Sequence, residues 1–171
     1  MGDKMKSIVS LIILLLLVGC ASKKSDKELF DEAQKNLKED KIPEAVMAFD
    51  ELVNEHSDSD LAPEALSQLA SLYQNKAVKS LSEKENLDKA IVLFKKLHDE
   101  YPTSSYAPSG LFMAGFIYAN DMQMYEEATA LYKQFLKEYP NEELAASAQA
   151  ELDNMGLSPE EILQKNMAKE N

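Results

Sequence analysis

The segment YPTSSYA, residues 101–107, decides the fold, because related segments stand at two other places in the chain. HSDSDLA (residues 56–62) and YPNEELA (residues 139–145) align with it without a gap. The three segments are spaced by roughly 40 residues, which is typical of chains that stack one pair of helices per repeat. A single helix pair cannot bury its apolar face alone, so the spacing predicts a stack.

Upstream of each segment lies a stripe of four apolar residues with spacings of 3, 4 and 3. On an α-helix these positions share one face, where a small Ala lets a neighbouring helix approach closely. The chain is also rich in helix formers and lacks runs of alternating polarity, which predicts an all-α fold. The stripes are Ile42, Ala45, Phe49 and Leu52; Leu87, Ala90, Phe94 and Leu97; and Tyr125, Ala128, Tyr132 and Phe135.

These patterns resemble the tetratricopeptide repeat. The resemblance is weaker in the first repeat, where Ser57 stands in place of the terminal Pro. It implies a right-handed solenoid of antiparallel helix pairs, with about three to four pairs in a chain of this length. The residues that carry it are Phe30, Ala33 and Leu37 in the first repeat; Leu66, Leu69, Ala70, Tyr73 and Pro102 in the second; and Leu111, Ala114, Gly115, Tyr118 and Pro140 in the third.

Two departures from the repeat pattern carry predictions of their own. Residues 74–86 are an insertion, which we expect to lengthen the first helix of the second repeat by two turns and to add a polar loop at 82–85. Near the end, Gly156 stops a helix and Ser158 begins another, forming a final pair that covers the open end of the stack. The predicted repeats are about 27–60, 61–104 and 105–141, with the terminal helix pair at 142–168.

The start of the chain resembles a lipoprotein signal. Lys4 and Lys6 precede an apolar run at 8–18, too short to span a bilayer but typical of a signal h-region. The residues LVGC that follow resemble a bacterial lipobox, which implies that Cys20 receives lipid; the alternative is a buried or free Cys. The predicted division is 1–19 signal peptide, 20–26 lipidated tether and 27–171 repeat domain.

The composition argues against several classes of function. The net charge is -12, with 30 carboxylates against 18 cations that are all Lys, so the chain would repel nucleic acid. One Cys and two His cannot close a zinc site, and five Gly leave no phosphate-binding loop. His56 and His98 are predicted to lie at the C-terminal ends of second helices, where the helix dipole favours them. We therefore expect a non-enzyme with no cofactor and no metal.

The resemblance also implies a concave groove lined by the first helix of each repeat. Phe112 and Phe116 lie one turn apart there and would anchor a partner, or else they pack against the next helix. Asn75 and Asn120 would bond a ligand backbone, or else they are left-handed caps at helix C-termini. The full groove set is Glu64, Ser67, Ser71, Gln74 and Asn75 with Ser109, Phe112, Phe116, Ala119 and Asn120; the predicted binding residues are Ser71, Gln74, Asn75, Phe112, Phe116 and Asn120.

Lipobox and repeats together resemble small outer-membrane lipoproteins related to the helical lipoprotein of the β-barrel assembly machine and to the Tol-Pal-associated coordinator. The resemblance implies a protein-protein interaction scaffold of the cell envelope, tethered by acyl chains on Cys20 and, with Ala21 after the cysteine, sorted to the periplasmic face of the outer membrane. Its expected partner is an envelope protein or a peptide segment in the groove. A periplasmic chaperone or peptide carrier is the first alternative, and an enzyme or enzyme accessory the second.

Overall fold

The computed structural model describes residues 23–169; the predicted signal peptide and Cys20 lie outside them. The described range contains eight α-helices and no strand, which confirms the all-α prediction. None of these helices combines the length and the apolarity that crossing a bilayer requires. The helices are α1 (Asp26–Lys38), α2 (Ile42–Glu55), α3 (Ala62–Gln74), α4 (Glu83–Glu100), α5 (Ala107–Phe116), α6 (Tyr125–Glu138), α7 (Ala145–Asn154) and α8 (Pro159–Lys169).

The helices form an α-solenoid of pairs. From α1 to α7, each helix packs against the next one along the chain. One apolar core therefore runs from Leu29 in α1 to Ala148 in α7 without a break. Each pair covers an apolar face of its neighbour, which is why no single pair would be stable alone.

The three predicted stripes form the packed face of the second helices α2, α4 and α6. Their Ala, aromatic and final apolar positions are all buried, which confirms that part of the prediction. The first position of the stripe differs between repeats. Ile42 is half-buried, Leu87 is buried, and Tyr125 remains 42% exposed.

Two glycines of α5 allow the closest helix contacts in the stack. A Cβ placed on Gly110 would lie 2.7 Å from the carbonyl oxygen of Phe94 in α4. A Cβ on Gly115 would lie 3.1 Å from the Tyr132 ring in α6. The missing side chains therefore let α5 sit between α4 and α6 at nearly backbone distance.

The prediction for the insertion is wrong. Helix α3 ends at Gln74 and is not lengthened, because Lys76 takes a left-handed conformation (φ 54) that turns the chain. The residues expected as a polar loop instead begin α4, where Ser82 and Glu85 form a capping box. Asn86 is 1% exposed, and its side-chain amide donates to the carbonyl oxygens of Val78, Leu81 and Ser82, which fastens the intervening turn to α4.

The signals at the C-terminal end of the chain are confirmed locally. Gly156 has a φ of +77 after α7, and Ser158 with Glu161 forms the hydrogen bonds of a capping box at the start of α8. Helix α7 packs against α6, whereas α8 lacks comparable packing against any helix of the described range, so the pair covers the end of the stack only in part. Ala148 is the one buried residue of α7 among those described, and Leu163 in α8 stays 61% exposed.

Candidate binding groove

The first helices of neighbouring repeats lie side by side and share a continuous surface, here called the first-helix face. Gln34 in α1 donates to Gln68 in α3 over 2.8 Å, and Gln68 donates in turn to Glu64 over 3.2 Å. Ser71 continues the surface along α3, and its hydroxyl donates to the carbonyl oxygen of Ser67. All five side chains are half-buried, so this face is only partly accessible to solvent.

The predicted binding residues of α3 lie at the C-terminal end of this face. Ser71 and Gln74 are half-buried, and Asn75 is the exposed C-cap residue of the helix. Asn75 has a φ of -75, so the left-handed cap expected as its alternative role is wrong. The left-handed residue is Lys76, one position later. The Asn75 side chain is therefore available to a ligand on geometric grounds.

The two phenylalanines of α5 have different environments. Phe112 is 8% exposed, and its ring centroid lies 5.5 Å from that of Tyr132 and 5.9 Å from that of Phe135, both in α6. Phe116 is half-buried and stacks on Phe112 at 6.5 Å with an interplanar angle of 26°. Phe112 thus packs inside its own repeat, while Phe116 packs against the core and keeps part of its ring accessible to solvent.

Asn120 lies in a π-helical turn, Ile117–Asp121, that directly follows α5. Its side-chain amide donates to the carbonyl oxygen of Phe116 at 3.3 Å and to Glu151 of α7 at 3.4 Å. The left-handed residue of this connection is Gln123, so the cap role considered for Asn120 is also wrong. The other two groove positions of this repeat, Ser109 and Ala119, are half-buried and buried respectively.

The six predicted binding residues therefore divide by exposure. Asn75 and Asn120 are exposed, Ser71, Gln74 and Phe116 are half-buried, and Phe112 is buried. Their role in binding a partner stays a prediction. Within the described range, no group of three or more His, Cys, Asp or Glu side chains is placed to hold a metal ion.

A polar contact between repeats at His98 was not predicted from the sequence. Its Nε2 lies 2.8 Å from Glu138 of α6, and its Nδ1 lies 2.8 Å from the adjacent Asp99. Burial alone would lower the pKa of His98, but the hydrogen bonds with Asp99 and Glu138 outweigh it, and the pKa is raised. The same hydrogen bond lowers the pKa of Glu138. The sequence predicted the position of His98 at the end of α4, but not the carboxylates with which its imidazole forms hydrogen bonds.

A cavity of about 520 Å³ at the end of the stack was not predicted either. It lies between the π-helical turn, the start of α6 and the α7–α8 connection. One sequence signal pointed to it, namely a Tyr at the first stripe position, where the other repeats have Ile42 and Leu87. Its described lining residues are Ala119, Asn120, Tyr125, Ala150, Glu151, Asn154, Met155, Gly156, Leu157, Ser158, Glu161 and Ile162.

Comparison with protein families identifies the helix pairs. Residues 64–104 and 109–142 match the model of the tetratricopeptide repeat. Two segments of the chain are thus similar to tetratricopeptide repeats. Such repeats are typically non-catalytic and serve as protein-protein interaction scaffolds, since their stacking creates an extended binding surface. The matched segments correspond to the second and third predicted repeats, and a comparison with curated proteins finds no match.

Proposed function

We propose that this protein is a scaffold of the cell envelope that holds a defined partner protein on its first-helix face. The observation that carries the proposal is the set of half-buried side chains on the first helices, which are polar at Gln68 and Ser71 and aromatic at Phe116. A partly accessible aromatic side chain is typical of the anchor positions of protein interfaces. An extended peptide or a partner helix would place an apolar residue against Phe116.

The second part of the proposal is a lipid anchor on Cys20, at the periplasmic face of an outer membrane. Support comes from the sequence alone, through the basic residues, the apolar run and the LVGC segment. Several acyl chains on one residue would give stable attachment, whereas a single chain gives only marginal attachment. The net charge of the chain, -12, favours partners with a basic surface.

Crosslinking in membranes, followed by recovery of the full chain, tests the role of the first-helix face. Phe116→Ala should reduce recovery of the partner by about tenfold, the effect of losing one anchor residue. Met47→Ala is the matched control, because Met47 is a 70% exposed apolar residue on the second helix α2. Phe112 is unsuitable for this test because its removal would damage the core. Equal recovery with Phe116→Ala and wild type would overturn the proposal, and capture of many unrelated peptides would support a carrier instead.

Cell fractionation tests the anchor. Cys20→Ala should move the protein out of the outer-membrane fraction, because the acyl chains have no other acceptor among the cysteines of the chain. Cys20→Ser is a conservative companion that keeps the size of the side chain and also removes the thiol. Persistence of both variants in the outer membrane would contradict lipidation at this residue.

A further inference from the structure

The cavity at the end of the stack exists because the third repeat departs from the first two. In the second repeat, Leu87 at the first stripe position is buried, and Ile42 of the first repeat is half-buried. In the third repeat Tyr125 takes this position and lines the cavity with an exposed ring. Gly156 lies beside this ring, because a Cβ added to it would make an ordinary van der Waals contact with Tyr125 at 3.7 Å.

The charge of the lining residues has one sign. Glu151 and Glu161 line the cavity, and none of its described lining residues is a Lys. Glu161 is committed to the capping box of α8, where it accepts from the backbone N–H of Ser158 and offsets the positive end of that helix. Among the described residues, the hydrogen bond of Glu151 is a long 3.4 Å contact with Asn120. Its carboxylate therefore keeps most of its capacity to accept hydrogen bonds.

Two further charges lie next to the cavity. The C-terminal end of α7, with the negative end of its dipole, borders the cavity at Asn154. Lys165 of α8 donates to the carbonyl oxygen of Asp153 and to the side chain of Asn154, so its ammonium group offsets this dipole and leaves Glu151 as the main negative group. The Tyr132 hydroxyl is buried and has no hydrogen-bond partner among the residues that the structure describes. Burial and the nearby Glu151 charge together raise the pKa of Tyr132, which places that carboxylate close to the buried ring.

We propose that this cavity binds a basic side chain, Lys or Arg, of the partner protein that the first-helix face holds. The Tyr125 ring supplies a face for a cation–π contact, and Glu151 supplies the counter-charge. A volume of about 520 Å³ lies within the range of sites that enclose a small ligand group. Asn120 belongs to both the first-helix face and the cavity, so a bound segment would run from Phe116 into the cavity. The proposal rests on the proposed function for its partner.

The test uses the full chain in a non-ionic detergent and follows binding by two-dimensional NMR. The probes are acetylated, amidated pentapeptides with a central Lys between alanines, and the same peptides with norleucine or Glu in the centre. Norleucine has the shape of Lys without the ammonium group. The Lys peptide should shift the amide signals of Asn120, Glu151 and Gly156 and bind about fivefold more tightly than the norleucine peptide, while the Glu peptide should bind weakest.

Two variants and one control assign the effect to the cavity. Glu151→Gln keeps the shape and should weaken binding of the Lys peptide about threefold to fivefold, and Tyr125→Ile should do the same. Glu143→Gln removes an exposed carboxylate outside the cavity and should leave binding unchanged. Equal affinity for the Lys and norleucine peptides, or an equal loss with Glu143→Gln, would overturn the proposal.

The same variants separate this proposal from the proposed function. If Phe116→Ala loses the crosslinked partner while the NMR experiment shows no preference for Lys, the cavity proposal fails and the scaffold proposal stands. If the Lys preference is present but Phe116→Ala recovers the partner normally, the cavity site stands and the role of the first-helix face fails. Loss of the partner with Phe116→Ala, and its partial loss with Glu151→Gln, would support both.

Discussion

The molecule has a central stack, α3 to α6, and a terminal pair, α7 and α8. Both consist of helices, but the helices of the central stack bury many more residues than those of the terminal pair. Helix α4 buries seven residues and α5 another seven, whereas α7 buries only Ala148 among its described residues. The central helices have a partner on both sides. The terminal pair has a partner on one side only, and its outer face carries Leu163 in contact with solvent.

The packing of a repeat therefore depends on its neighbours more than on its own residues. Tyr125 occupies the stripe position that Leu87 occupies one repeat earlier, but the elements around it differ. Val78 and Leu81 of the insertion pack against the core beside α4. Next to Tyr125 the chain instead leaves a cavity, so the same position becomes a candidate binding site.

The largest effect we expect comes from truncating the core of the central stack. Phe94→Ala removes a fully packed ring and should lower the free energy of unfolding by about 3–5 kcal/mol. Ile162→Ala is the counterpart in α8, where the side chain is half-buried, and should cost less than about 1.5 kcal/mol. Urea unfolding of both variants, followed by helical circular dichroism, measures the difference. Equal losses would show that the terminal pair is packed as tightly as the centre.

A smaller effect should follow from adding a methyl group where two helices touch. Gly110→Ala would force α5 away from the Phe94 carbonyl oxygen and should cost about 1–3 kcal/mol, despite the better helix propensity of Ala. Ser109→Ala is the matched control in the same turn and should stay within about 0.5 kcal/mol of wild type.

Gly156→Ala supplies the comparison in the terminal pair. Its φ of +77 makes any L side chain unfavourable, by about 1–2 kcal/mol. We expect the strain to loosen α8 alone, so hydrogen exchange should accelerate in α8 and stay unchanged in α4 to α6. Faster exchange throughout the stack would contradict this separation.

The smallest effect is a dependence of stability on pH within the central stack. The raised pKa of His98 means that its contribution is fully present below the ordinary value of 6.5 and is lost as pH rises through the higher folded value. The lowered pKa of Glu138 acts in the opposite sense, with a contribution present above 4.5 and lost as pH falls through the lower folded value. The pair is therefore strongest between these two values.

Urea unfolding at about pH 5.5 and about pH 9 tests this contact. Wild type should lose about 1 kcal/mol more between these conditions than His98→Gln or Glu138→Gln, a modest figure because Glu138 is partly exposed to solvent. Glu142→Gln removes an exposed carboxylate of the neighbouring junction and should behave as wild type. An unchanged pH dependence in His98→Gln would exclude the contact as its source.

Much of the fold was predictable from short-range patterns. The Ala, aromatic and final apolar positions of the stripes around Ala90 and Ala128 are buried as predicted, and the stop at Gly156 with the capping box at Ser158 is found in the structure. These features depend on residues within one or two helical turns. The conformation of the insertion was predicted wrongly because it depends on Asn86. The side-chain amide of Asn86 donates to three backbone carbonyl oxygens, and no sequence pattern indicates these hydrogen bonds.

The candidate site was predictable only in part. The family pattern placed Phe112 and Phe116 on one helix, but it did not distinguish the buried ring from the accessible one. That distinction depends on where Tyr132 and Phe135 of α6 lie. The role of these residues in binding still awaits the crosslinking experiment.

The sequence by itself determined the helices, their pairing and their repetition, because helical periodicity, caps and small residues act over a few residues along the chain. Only the tertiary structure decided which side chains remain accessible. Burial depends on the helix that the next repeat packs against a given face. For this reason His98 contacts Glu138, Phe112 is buried, and Tyr125 lines an open cavity. Residues that are distant in sequence set these outcomes, and local patterns carry no information about them.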